Sequence, residues 1–351
     1  MAQPNSQRRL PAEWEPHSGV MLTWPHAGGD WAAQLAEVEA VFFSIALQIA
    51  LRESLLVICA TAAQAERVSA TLSRSGAPPR NLFTAVVPSD DTWTRDHGPV
   101  TVLEAGKPRL LDFRFNGWGG KYPARADDAI TAQLAAGGRF GTTAVDHIDL
   151  VLEGGSIDSD GQGSLMTTRR CLLHPQRNPD LGERALAQRL ESLLGARRLL
   201  WLQHGGLAGD DTDGHIDMLV RFCSPSTLAY QSCNESSYAW YPDLKAMADE
   251  LRHWRTVRGE PYRLLALPWP EAKFASDGTR LPASYANFLV INEAVLVPGY
   301  DDPADVDAVR VLQVAFPDRE IIQIPCTALL QQYGSLHCLT MQFPKGVEFS
   351  P

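Results

Sequence analysis

Paired cysteines are missing from this sequence. The six cysteines, at positions 59, 171, 223, 233, 326 and 338, form no CxxC motif, which argues against a structural zinc site or a thioredoxin-like centre. Basic residues are also short: 31 Lys plus Arg stand against 41 Asp plus Glu, a formal charge of −10. That balance disfavours a nucleic-acid binder, whose affinity comes from neutralising phosphates. Long apolar runs are missing too. The greasiest, Val41–Leu51, is interrupted by Ser44 and Gln48 and followed by Arg52 and Glu53, too short and too polar to span a bilayer. The polar, basic stretch Met1–Leu10 has no apolar core behind it, unlike a secretory signal. Reduced thiols and a cytoplasmic location are therefore expected, with neither membrane nor nucleic acid as partner.

What is present is an ordinary globular mix, 45% hydrophobic and 21% charged over 351 residues. A chain of that length buries enough surface to fold without a disulfide or metal staple. Apolar residues at helical spacing predict helices over Trp31–Arg52, Ala126–Ala136, Asp180–Leu194, Asp243–Trp254 and Pro303–Phe316. Strand-like runs lie between them, at Leu55–Ala60, Pro99–Leu103, Arg109–Phe115, Ser164–Thr168, Met218–Phe222, Phe288–Asn292 and Ala294–Pro298. Four stretches share one plan of polar and small residues, a strand, a short turn and a second strand: Thr94–Asn116, Leu152–Leu173, Asp213–Gln231 and Leu281–Gly299. A fifth is expected where Leu339–Phe343 pairs with Gly19–Trp24, joining the two ends of the chain. Five such units predict a mixed α/β fold with pseudo-symmetry, in one domain spanning 1–351.

Four polar clusters stand out against this plan. Asp90–Pro99 carries Trp93, Arg95, Asp96 and His97; Glu153 follows an apolar run and precedes Gly154-Gly155; His215 and Asp217 lie two apart after Asp210 and Asp211; Tyr333-Gly334-Ser335-Leu336-His337-Cys338 holds a thiol in a glycine-containing loop. Each has a plain structural reading as a surface turn, hairpin corner, satisfied pair or buried thiol. His215 and Asp217 on one face of a strand also suit a metal site, and Asp158-Ser159-Asp160-Gly161 faintly resembles part of a calcium loop, but no complete ligand set follows either. No metal and no organic cofactor is expected. Together, thiol, imidazole and carboxylates are the parts for nucleophilic catalysis, and paired carboxylates match the planar, delocalised charge of a guanidinium.

At these residues the sequence resembles the agmatine deiminase and bacterial-type peptidylarginine deiminase family of the guanidine-modifying superfamily. The matching blocks are Pro11–His17, Trp93–Pro99, Phe115–Tyr122, Glu153–Ser156, Thr212–Asp217, Leu281–Phe288 and the final Leu336-His337-Cys338, nearly the whole chain in the right order. The resemblance implies a five-bladed pseudo-symmetric α/β propeller of the pentein type. It implies Cys338 as nucleophile, His215 as general acid and base, Glu153 as support for the histidine and guanidinium, and Asp96 and Asp217 as grips on its nitrogens. The implied reaction is hydrolytic deimination, agmatine giving N-carbamoylputrescine and ammonia through a covalent thiouronium on cysteine, a step toward putrescine and other polyamines. A homodimer is a further family expectation.

For the far end of the substrate, Asp211 is the candidate partner of a primary ammonium, with Asp210 in reserve, and Trp93 and Trp118 are candidates to line the alkyl chain. Arg114 is the candidate for a carboxylate, should the substrate be arginine, peptidyl-arginine or another guanidino compound. The loop Gln332-Tyr333-Gly334-Ser335 departs from the three glycines and Asn usual in agmatine deiminases. Other readings are a metal-dependent ureohydrolase, an amidinotransferase and a non-catalytic guanidinium-binding protein.

Overall fold

The computed structural model describes residues 8–350; residues 1–7 of the amino-terminal stretch read above lie outside them. The described chain divides into two compact units, one of Glu15–Gly154 with the segment from Cys338 onward and one of Gly155–His337 with the segment ending at Trp14.

Each unit repeats one supersecondary pattern: an antiparallel pair of strands, then a helix, then a third strand parallel to the second. In the first unit, Thr340–Pro344 pairs antiparallel with His17–Thr23, Met341 opposite Met21, so the two ends of the chain join as the sequence predicts. After the helix Leu35–Ala50, Ser54–Cys59 adds parallel to His17–Thr23, and Leu82–Val86 extends the sheet. The second sheet of this unit pairs Val100–Glu104 with Lys107–Arg114, and Ala144–Val151 returns parallel after the helix Ile130–Ala136. Its hairpin turns on Ala105 and Gly106, at φ 50° and 78°; two consecutive positive φ values match the twist of the flanking strands. Met21, Leu56, Ile58, Leu110, Ile130, Leu134, Phe140, Met341 and Phe343 form one buried apolar cluster.

By length and apolarity alone the helical stretch Ala32–Ala50 is long enough to cross a membrane, longer than the Val41–Leu51 run considered above. Its buried residues are Val38, Val41, Phe42, Ile45, Ala46, Ile49 and Ala50, a recurrence that turns one face toward the unit's own core. Trp24 packs edge-on against Phe42 and Phe43, with ring centroids 5.5 and 4.7 Å apart.

The second unit holds three sheets of the same plan. Ile157–Ser159, Ser164–Thr168 and Arg198–Leu202 form one; Val220–Ser224, Thr227–Gln231 and Arg263–Leu267 the next; Leu289–Ile291, Ala294–Gly299 and Glu320–Pro325 the third. The connecting helices are Glu183–Leu194, Tyr241–His253 and Asp305–Ala315. Glu183–Leu194 buries Leu186, Leu190 and Leu194, four apart, and stops at Gly195 with φ 69°, the left-handed cap that glycine adopts without penalty. The stretch resembling a calcium loop is a hairpin turn: Asp160 Oδ1 accepts from the backbone N–H groups of Gln162 and Ser164 at 2.8 Å each.

Candidate active site

In the first unit, residues 92–98 form a tight helical turn. Thr94 Oγ1 accepts from Thr23 N at 2.8 Å, fixing the turn to the end of a core strand, and Gly98 N closes it on Thr94 O at 2.8 Å. Gly98 is obligatory, because a Cβ there would lie 2.6 Å from Thr94 O. Arg95 turns inward to Gln342. Asp96 is buried and its Oδ2 accepts from Trp118 Nε1 at 2.9 Å. Trp118 sits in a left-handed turn at φ 55° and ψ 47°, between Gly117 and Gly119, also at positive φ. Asn116 Oδ1 holds that turn by accepting from Gly119 N at 2.9 Å, and Phe115 and Tyr122 pack edge-on to the indole at 4.9 and 5.5 Å. Trp118, a candidate for the alkyl chain, thus acts first on Asp96.

Glu153 is completely buried, just beyond the strand Ala144–Val151. Beside it, a Cβ on Gly154 would stand 2.2 Å from Arg95 O and 2.9 Å from Met341 Cε. The glycine therefore lets the Glu153 segment lie directly on the turn that carries Asp96. Cys338, 6% exposed, is three residues before Met341. Trp93 is buried against Trp31, whose indole donates to Thr92 Oγ1 at 3.0 Å.

In the second unit, His215 and Asp217 are not on a strand, as their spacing had suggested. Asp213 and Gly214, at φ 67° and 88°, turn the chain, and Ile216–Met218 is a single 3-10 turn before the strand Val220–Ser224. Arg177 holds Asp213 at 2.7 Å and Thr212 O at 2.8 Å, and Thr168 Oγ1 donates to Gly214 O at 2.6 Å. Asp210 is committed to the same loop: its carboxylate accepts from Thr212 N and Gly214 N at 3.0 and 2.6 Å, and from the Thr212 hydroxyl at 2.5 Å. Asp210, held in reserve above for the ammonium, thus braces the segment before His215. Asp211 is half-buried in this loop.

His215 and Asp217 are fully buried. Burial pushes the Asp217 carboxyl upward, but the hydrogen bond and charge of His337, with His215 and Arg221, hold it below the ordinary range. His337 Nδ1 lies 2.8 Å from Asp217 Oδ2. In the unusual loop before it, Tyr333 takes φ 64° and the buried Ser335 hydroxyl lies 3.0 Å from the Tyr300 hydroxyl. Arg114, the carboxylate candidate, is exposed and paired with the exposed Asp149 at 3.0 Å; it is a surface ion pair.

The sequence-derived residues thus fall into two sets. Asp96, Glu153, Trp93, Trp118 and Cys338 belong to one unit; His215, Asp217, Asp210 and Asp211 belong to the other. Sequence reasoning assigned no role to His337 or to Glu13, whose Oε1 lies 2.8 Å from His337 Nε2. The signal was there in the Pro11–His17 block, which supplies Glu13, and in the place of His337 next to the thiol.

The model of the Porphyromonas-type peptidyl-arginine deiminase family matches residues 9–344, and the chain belongs to that family. Among its curated relatives, agmatine deiminase of Pseudomonas aeruginosa (strain LESB58) is 33% identical, the match covering 96% of this chain and 95% of that protein. Among solved structures, a candidate arginine deiminase of Porphyromonas gingivalis superposes with a TM-score of 0.91 at 46% identity, covering 97% of this chain and 99% of the other. A cysteine-to-serine variant of C. jejuni agmatine deiminase with substrate bound superposes with a TM-score of 0.89 at 32% identity, covering 97% of both chains. The fold is the mixed α/β fold of these deiminases.

Proposed function

We propose that the protein is a cysteine-dependent hydrolase of linear amidines that deiminates agmatine to N-carbamoylputrescine and ammonia. The observation that carries this reading is Asp217, completely buried yet held in its anionic form. An ionised carboxylate kept out of water suits a cationic ligand. Membership of the family and the 33% identity to an agmatine deiminase over nearly the whole chain support it.

In this mechanism Asp96 and Asp217 grip the guanidinium nitrogens and Glu153 holds the guanidinium and His215. Cys338 Sγ attacks the guanidinium carbon, forming a tetrahedral adduct. His215 gives a proton to the departing nitrogen, ammonia leaves, and a thiouronium remains on Cys338. His215 then takes a proton from water, whose oxygen adds to the same carbon. Collapse releases the ureido product and restores the thiol. Asp211 meets the far ammonium and Trp93 flanks the alkyl chain. The five repeats support a single five-bladed α/β propeller of the pentein type as the catalytic domain. A cytoplasmic homodimer acting in polyamine formation, with a small guanidino cation as its partner and neither nucleic acid nor membrane, completes the proposal.

A second reading takes arginine or peptidyl-arginine as substrate, favoured by the 46% identity to the candidate arginine deiminase. Against it, Arg114 is engaged with Asp149 at the surface. Ammonia release and kcat/KM across agmatine, arginine and an arginine-terminated peptide test both. Preference for agmatine supports the first reading, preference for arginine or the peptide the second, and no ammonia from any of the three overturns both.

A further inference from the structure

His337 is 1% exposed and lies between two carboxylates: Nδ1 is 2.8 Å from Asp217 Oδ2 and Nε2 is 2.8 Å from Glu13 Oε1. A neutral imidazole has one N–H and can donate to only one of them, whereas the imidazolium donates to both. The ring's backbone is fixed as well, since His337 N donates to Asn287 Oδ1 at 2.9 Å. Beyond Glu13 the charges keep alternating. Glu13 Oε2 accepts from Arg221, a completely buried guanidinium that also reaches Asp158 at 3.2 Å and the carbonyls of Phe288 and Ala286 at 2.9 and 3.3 Å. Asp217, His337, Glu13, Arg221 and Asp158 thus form one continuous run of polar contacts that takes in Glu13 of the amino-terminal segment.

A structural ion network needs no member beside the thiol, and buried ion pairs are weak stabilisers in themselves. We infer that His337 is a positioning residue: held as an imidazolium between Glu13 and Asp217, it fixes the angle of the Asp217 carboxylate and keeps it anionic for the guanidinium. Glu13 acts through His337, stabilising its second proton, and Arg221 with Asp158 anchors Glu13. This rests on the proposed deimination for its catalytic consequence, while the charge state of His337 does not. The charged and titratable groups acting on Asp217 include His337, His215 and Arg221, and Arg221 in turn faces Glu13, Asp158 and Cys223.

The test combines 15N-histidine spectra of the wild-type protein with pH profiles of Glu13→Gln and His337→Asn. Protonation of both ring nitrogens of His337 at neutral pH is expected. His337→Asn keeps an N–H for Asp217 but no charge, so Asp217 loses the cation that lowers its pKa. The acidic limb of kcat/KM should therefore move up by roughly one pH unit, with KM raised about tenfold and kcat changed less. Glu13→Gln, which removes one charge with little change of shape, should move both in the same direction by less, and serves if His337→Asn fails to fold. A neutral His337 ring overturns the inference, as do variant pH profiles and KM values that superimpose on a wild type that turns over. A wild type that releases no ammonia from any guanidino substrate overturns the deimination itself, and with it this role.

Discussion

Trp118 Nε1 donates to Asp96 Oδ2 at 2.9 Å from a residue whose backbone is left-handed, at φ 55° and ψ 47°. A bulky side chain in that region costs of order 1–3 kcal/mol and persists only where its surroundings hold it. Here Asn116, Phe115 and Tyr122 do so, and the return is a fixed donor on a buried carboxylate. Trp118→Phe keeps the ring and removes the N–H. A hydrogen bond to a charged group contributes about 1.5–3 kcal/mol, so kcat/KM for agmatine should fall roughly 10- to 100-fold, with the circular dichroism spectrum unchanged. Steady-state kinetics of the variant check this; wild-type kinetics would mean Trp118 does not position Asp96.

How far the sequence disclosed this arrangement depended on the kind of signal. Hairpins were legible because a turn such as Ala105-Gly106, between the runs Pro99–Leu103 and Arg109–Phe115, marks itself chemically, and the pairing of Gly19–Trp24 with Leu339–Phe343 followed from two apolar runs lacking partners. The third strand was legible only in the first sheet, where the run Leu55–Ala60 corresponds to Ser54–Cys59. Arg263–Leu267, with Leu264 and Leu265 half-buried, Leu267 buried and its other positions exposed, pairs on one side only and carries no turn signal. Its identity as a strand comes from the parallel neighbour, a tertiary fact. The same holds for the site. The reactive residue types were visible as clusters, whereas the donors that orient them, Trp118 on Asp96 and His337 on Asp217, join residues 22 and 120 positions apart. His215 and Asp217 misled because a two-residue spacing suits a strand, and only the positive φ of Asp213 and Gly214 places them on a 3-10 turn.

Four of the other five thiols bear on the choice of nucleophile. Burial pushes the Cys59 and Cys223 thiols up to about 12 each, and raises Cys326 and Cys233 as well; a thiol so raised holds almost no thiolate at neutral pH. Cys338→Ala should lower deimination at least about 1,000-fold, while Cys59→Ala retains turnover. Ammonia and ureido product are measured with and without a chelator. Equal activity of Cys338→Ala and wild type sinks the covalent mechanism. Chelator-sensitive release of urea favours a metal-dependent ureohydrolase, and transfer of the amidino group to an added amine favours an amidinotransferase. Binding of agmatine without any product identifies a non-catalytic protein.

Gly154 tests the packing of Glu153 onto the Asp96 turn. An added Cβ would meet Arg95 O at 2.2 Å, a backbone atom that cannot swing aside. Gly154→Ala should displace the segment carrying Glu153, lowering Tm by several degrees and kcat/KM by more than the Tm loss explains. Gly106, on an open hairpin turn where nothing lies within 4 Å of a Cβ, is the control: its positive φ still costs some stability on substitution, but activity should persist. Thermal melts and kinetics on both variants separate the two effects. Undiminished activity in Gly154→Ala would remove the close approach from any catalytic role.

Asp127 links the Asp96 turn to pH. It is almost fully buried, and its Oδ1 accepts from Asp90 N at 2.8 Å while Oδ2 accepts from Asp91 N at 3.1 Å, tying down the loop that leads into Trp93. Burial pushes its pKa up to about 7 despite those two backbone donors, and the charges of Asp91 and Asp90 push the same way. A carboxyl raised in the folded state binds its proton more tightly folded than unfolded. Its contribution to stability is therefore full below the unfolded value near 4 and is lost as pH rises toward 7. Asp127→Asn keeps an acceptor for Asp90 N and cannot ionise, so it removes that pH dependence. Urea unfolding midpoints between pH 4 and 8 should fall across the window in wild type and fall less in Asp127→Asn, leaving the variant relatively more stable at the upper end. Parallel curves for the two proteins would show that Asp127 ionises as freely in the folded chain as in the unfolded one.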